Sequence, residues 1–115
     1  MKNLDYALLL EIYGRMLTEK QRGVMELYYW EDLSLGEISQ DEGITRQAVR
    51  DSIKRSEQLL EDFESRLMLA EKITKCRKNC AEICGYAENL KKENRLDESC
   101  IDKINELASE TGDLF

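Results

Sequence analysis

Proline and histidine are both missing from this 115-residue chain. An interior proline costs a helix about 3 kcal/mol, so its absence permits long uninterrupted helices. Without histidine the commonest general base is gone. There is no GxxxxGK[ST] phosphate loop and no GxSxG elbow, and the carboxylates are scattered along the chain. A binding protein without a cofactor is expected, not an enzyme. No stretch approaches the ~18 apolar residues of a membrane span. The short apolar run Tyr6 to Leu10 lies between Asp5 and Glu11 with no small-residue cleavage site behind it, unlike a secretory leader. A cytoplasmic location and no membrane partner are therefore expected, and stable disulfides are not.

Charge is what the chain has in excess. Charged residues make up 36% of it and the net charge is −7. Residues 1–64 hold net −6 and residues 65–115 net −1. Such a chain repels phosphate backbones on average, so any nucleic-acid contact must come from a local positive patch.

Apolar periodicity predicts an all-α fold. It consists of an N-terminal helix-turn-helix bundle over 1–70, containing a long helix, and a C-terminal helical extension over 71–115 packed on the same core. Asn3 to Gly14 reads as a first helix, with Leu4, Ala7, Leu8 and Ile12 on one face. Thr18 and Gln21 form a capping box that opens a second helix, with Val24, Leu27 and Tyr28 inward. Ser34 and Glu37 form another, ahead of Leu35 to Glu42. Gly43 is free to take the left-handed conformation that ends a helix. Ile44 is expected to plug the core, and Thr45 caps a helix beginning at Arg46. In that helix Val49, Ile53, Ser56, Leu60, Phe63, Leu67 and Ala70 recur every 3.5 residues on average, a heptad seam. The seam shifts phase at Ile73 and continues through Cys76, Cys80, Ile83, Ala87 and Leu90. A break is expected at the shift or at Gly85. Asn94 to Leu96 reads as a turn, Asp97 as the cap of a last helix, and Thr111 to Phe115 as frayed.

Leu35 to Ile53 has helix-turn-helix spacing, with Ile38 and Val49 apolar, Ser39 small at the crossing and Gly43 in the turn. Glu42 stands where an apolar residue is more usual. The second helix of the pair would project Arg46, Gln47, Arg50 and Lys54. Arg46, Arg50 and Lys54, at i, i+4 and i+8, form one basic stripe. Arginine suits bidentate guanine contacts and glutamine suits adenine. Thr45, Arg46, Gln47, Arg50, Lys54 and Arg55 are the candidate residues for nucleic-acid or partner binding. The plainer alternative is a solvated basic face.

The run LTEKQRGVMELYYWEDLSLGEISQDEGITRQAVRDSIKRSEQLLEDFESRL, Leu17 to Leu67, resembles the YlxM family of bacterial helix-turn-helix proteins. It is also similar to region 4 of sigma factors, where Thr45-Arg46-Gln47-Ala48-Val49 would open the recognition helix. Arg50 stands where many relatives are expected to carry a tyrosine or similar residue. The resemblance implies a regulatory or accessory role in the co-translational targeting pathway of the signal recognition particle. The implied partners are particle components, protein or RNA, and the rival partner is duplex DNA. Beyond about Ala70 the resemblance fades, and the cysteine-bearing tail is expected to be lineage-specific.

Cys76, Cys80 and Cys84 stand at i, i+4 and i+8, but no CxxC pair occurs, and packing is the expected role ahead of metal binding with Cys100. Lys72, Lys75, Arg77 and Lys78 form a second basic cluster and Lys91, Lys92 and Arg95 a third. Solvated faces are the default for both, and RNA phosphate contact is the sharper option. Tyr28, Tyr29 and Trp30 read as core or junction filler. The heptad seam after Val49 favours a homodimer.

Overall fold

The computed structural model describes residues 5–93 and 98–114, and the expectations for Asn3, Leu4, Asn94 to Leu96 and Asp97 lie outside them. The described residues are almost entirely helical, in six α-helices with no strand. Two compact units emerge, residues 1–70 and 71–115.

In the first unit, Asp5 caps α1 (Tyr6–Tyr13) by accepting from the Leu8 N–H at 3.2 Å. A single 3₁₀ turn, Gly14–Met16, carries the chain to Thr18. There both bonds of the capping box form, Gln21 N–H to Thr18 Oγ1 at 3.2 Å and Thr18 N–H to Gln21 Oε1 at 3.1 Å. α2 (Glu19–Tyr29) follows. Ser34 and Glu37 make the second box, both bonds 3.1 Å, and open α3 (Leu35–Glu42). Thr45 opens α4 (Arg46–Leu67). Leu9, Leu10 and Tyr13 of α1, Val24 and Met25 of α2, Ile38 of α3, and Val49, Ile53 and Leu60 of α4 form one buried core. Removing a side chain such as Leu60 from it costs about 2–5 kcal/mol.

The turn between α3 and α4 explains one departure from expectation. Gly43 takes φ +67°, and its N–H and that of Ile44 both converge on the Ser39 carbonyl. This closure turns the chain sharply after the glycine, and the backbone of Ile44 is committed to it. Ile44 is 42% exposed instead of plugging the core, whereas Ile38 and Val49 on either side of the turn are fully buried. Glu42 does turn to solvent.

The heptad seam is also interrupted where its spacing suggests one run, for Leu67 is exposed although Ala70 beyond it is buried. Val49, Ile53, Ser56 and Leu60 are buried against the unit's own helices, Phe63 is partly buried, and Leu67 is 46% exposed. The helix stops at Met68, which takes a left-handed φ of 56°. Neither Ile73 nor Gly85 marks a break, for both lie inside α5 (Leu69–Glu93). The cause is a polar cluster. Glu64, 4% exposed, accepts from the Tyr13 hydroxyl at 2.6 Å and from the Ala70 N–H at 2.9 Å through the same Oε1. The Leu69 N–H donates to the Tyr13 oxygen at 3.1 Å. Two first-turn N–H groups of α5 are thus satisfied by side chains, which fixes the start of a new helix at Leu69.

Tyr6 and Tyr29 bond to Glu61 and Glu57 in the same manner, so the 57, 61, 64 edge of α4 holds α1 and α2 by tyrosine–carboxylate bonds. Trp30, by contrast, is 47% exposed and not core filler, with its Nε1–H donating to the Ala7 carbonyl at 3.4 Å.

In the second unit α5 and α6 (Glu98–Gly112) form a helical hairpin, and α6 runs to Gly112 where fraying from Thr111 was expected. Lys75 pairs with Glu110 at 3.0 Å, and the buried Asn79 donates to Thr111 Oγ1 at 2.9 Å. Cys76 is partly buried, but Cys80 and Cys84 are exposed, so the expected seam through Cys80 is not a packed one. Among the described residues no group of cysteines and carboxylates is placed to hold a metal ion.

Candidate functional site

The tight turn at Gly43 sets the first turns of α3 and α4 side by side. Thr45 is spent on the scaffold. Its Oγ1 accepts from the Ala48 N–H at 3.0 Å and so opens α4. The next residues face solvent, and Arg46, Gln47, Arg50 and Lys54 are all exposed.

A cleft of about 540 Å³ lies between the two helix starts, lined by Ser34, Leu35 and Gly36 on one wall and Arg46, Gln47 and Arg50 on the other. Gly36 has a specific role in it. A Cβ there would stand 2.9 Å from Nη2 of Arg46 and 3.2 Å from its Cζ. The missing side chain lets the guanidinium lie across the first turn of α3. That turn also presents backbone N–H groups and the positive end of the helix dipole. Two guanidiniums beside a helix start line this concavity, a chemistry suited to the oxygens of a phosphate or carboxylate, although the Glu37 carboxylate of the same turn is held by the Ser34 capping box.

Arg50 continues into a smaller depression of about 210 Å³, shared with Tyr28, Leu35, Ile53, Lys54 and Glu57. The stripe Arg46–Arg50–Lys54 is therefore one continuous surface. Gln47 is partly committed, because its Nε2–H donates to Asp51 Oδ1 at 3.0 Å. Its side-chain oxygen still has acceptor capacity. Arg55 lies apart from the stripe. It lines a separate depression with Gln21, Ala48, Asp51 and Ser52.

The α3 wall of the cleft, Ser34 to Gly36, was not among the candidate residues expected from the sequence. Its signal was Gly36 itself, a residue that weakens a helix yet sits two places after the N-cap Ser34. Two carboxylates of α4 beside the stripe, Asp51 and Glu57, are engaged with Gln47 and Tyr29. No acid–base pair faces the cleft between α3 and α4.

Comparison with known proteins agrees with this architecture. Residues 1–107 match the family described as "Putative helix-turn-helix protein, YlxM / p13 like". The chain is 46% identical over 81 residues to a UPF0122 protein of Desulforamulus reducens, covering 70% of this chain and 69% of that relative. It is 46% identical over 82 residues to one from Shouchella clausii, covering 71% and 75%. A UPF0122 protein of Bacillus thuringiensis is 38% identical over 100 residues, covering 84% and 91%. The chain belongs to this helix-turn-helix family. The family match runs well past Ala70, so α5 and most of α6 are family features and the tail is not lineage-specific.

Proposed function

We propose that this member of the YlxM / p13-like family is a non-catalytic regulatory protein of the cytoplasm that binds an anionic partner through the exposed face of α4. The observation that carries the reading is the placement of Arg46 and Arg50 around the cleft against α3, with Lys54 extending the stripe. On a chain of net charge −7 this is a local exception. The family resemblance supports the co-translational targeting pathway as the setting, with a signal recognition particle component, RNA or protein, as the partner.

The charge balance supports a structured partner over random duplex DNA. Non-specific DNA affinity grows with the number of phosphates neutralised, and three cations on the stripe make that term small. DNA reading is the second proposal. Arg46, Gln47 and Arg50 at the exposed start of α4, just past a tight turn, have the placement from which recognition helices reach major-groove edges.

One set of titrations at physiological salt separates the two readings. It compares the particle's RNA, its GTPase and its receptor with duplexes selected from a random pool. Tighter binding of a particle component, weakened by Arg46→Ala, supports the targeting role. A selected duplex bound at nanomolar affinity, with no measurable binding of any particle component, overturns it in favour of DNA regulation.

A further inference from the structure

The α5–α6 hairpin leaves its larger apolar residues incompletely buried. Ile73, Ile83 and Leu90 on α5 and Ile101, Ile104 and Leu107 on α6 are all only partly buried. Among the described residues beyond Ala70, the one buried side chain is polar, Asn79, bonded to Thr111. Beside this seam, Cys80, Cys84 and Ala87 run along α5 at i, i+4 and i+7, all exposed. No charge interrupts that edge for two turns, and its small side chains let another helix approach closely. α5 thus has a wider uncharged face than the single helix α6 covers.

We propose that a second copy of this chain covers it, hairpin against hairpin, in a two-fold four-helix bundle. Charge decides for a second copy. α5 carries six basic residues against four acids, whereas α6 carries four acids against one lysine. Within one chain the two helices already use this difference, as in the Lys75–Glu110 pair. A two-fold operation brings the basic α5 of each copy beside the acidic α6 of the other, so one surface complements itself. The whole face of the hairpin reaches the lower end of the area that a dimer needs. At 1.5 Å per residue and 10–12 Å across, helices of 25 and 15 residues present roughly 600–700 Å² in plan. A stable interface needs roughly 600–1,000 Å² from each partner. Asn79 and Thr111 set a polar layer in the seam, the device that fixes register in helical bundles. The α4 seam offers less to a partner, because Val49, Ile53, Ser56 and Leu60 are buried against their own unit and Leu67 alone of its α4 residues is exposed.

Sedimentation of the full chain under reducing conditions tests this, comparing wild type with Cys84→Arg, Ala87→Arg and, as a control on α3, Gln40→Arg. Circular dichroism confirms that helicity is kept. These three positions are exposed, so each variant retains its fold. The expected result is a species of twice 13.4 kDa for wild type and Gln40→Arg, and a dissociation constant raised at least about tenfold in both α5 variants. A wild-type chain that sediments at 13.4 kDa at about 100 μM overturns the proposal. A dimer equally stable in all four proteins overturns it too, since the interface then lies elsewhere.

Discussion

The Tyr13 hydroxyl donates to Glu64 Oε1 at 2.6 Å, and the two groups together cap the first turn of α5 through Leu69 and Ala70. A phenol and a carboxylate 51 residues apart thus decide where one helix ends and the next begins. Removing the hydroxyl leaves a buried carboxylate without that donor and an N–H without its acceptor. Tyr13→Phe is expected to cost about 1–3 kcal/mol in urea unfolding, more than a surface substitution would.

The same contact makes stability fall at alkaline pH. Burial first, and then the bond to Glu64, push the Tyr13 hydroxyl up to about 12 from its ordinary 10. The bond to Glu61, with burial, pushes Tyr6 up to about 12 as well. Burial and Glu57 raise Tyr29 further. A group whose folded pKa is raised contributes stability that is complete below its unfolded value and is lost as pH rises through the folded one. The urea midpoint is therefore expected to drop between about pH 10 and pH 12. Tyr13→Phe removes part of this drop, which a midpoint-versus-pH series on both proteins reads directly.

Ser56 occupies a core position of α4, and its hydroxyl is fully buried with no hydrogen-bond partner. An unsatisfied buried hydroxyl costs more than the methyl of alanine. Ser56→Ala is expected to hold or raise stability, by up to about 2 kcal/mol in denaturant titration. A clear loss of stability would mean that the hydroxyl is bonded.

Gly36 separates stability from binding. Alanine is the better helix former by about 1 kcal/mol, so Gly36→Ala should raise the melting temperature. Its Cβ would also push the Arg46 guanidinium off the first turn of α3. A more stable protein that binds its partner less tightly is the expected outcome, measured by calorimetry on the two proteins side by side.

The local punctuation of the fold was legible in the sequence because capping chemistry is local. Thr18–Gln21, Ser34–Glu37, Gly43 and Thr45 each act within a turn of themselves. The end of α4 was not legible, because periodicity alone extends the seam through Leu67 to Ala70. What stops the helix is Tyr13, a residue from α1 that meets Glu64 only after folding. Ile44 was misplaced for a related reason, since its exposure depends on which atoms meet across the Gly43 turn. At the candidate site, the α4 stripe was visible as i, i+4, i+8 spacing. The α3 wall was not, because a glycine signals a close approach without saying what approaches.

Arg46 and Arg50 are the proposed binding surface. It is tested most directly by the salt dependence of binding to the particle's RNA, with wild type compared with the Arg46→Ala/Arg50→Ala double variant. If both guanidiniums neutralise phosphates, the double variant binds more weakly at every salt concentration. Its slope of log affinity against log salt is also shallower by about 1.5–2. Equal affinities and equal slopes for the two proteins would rule out this surface and move the site away from α4.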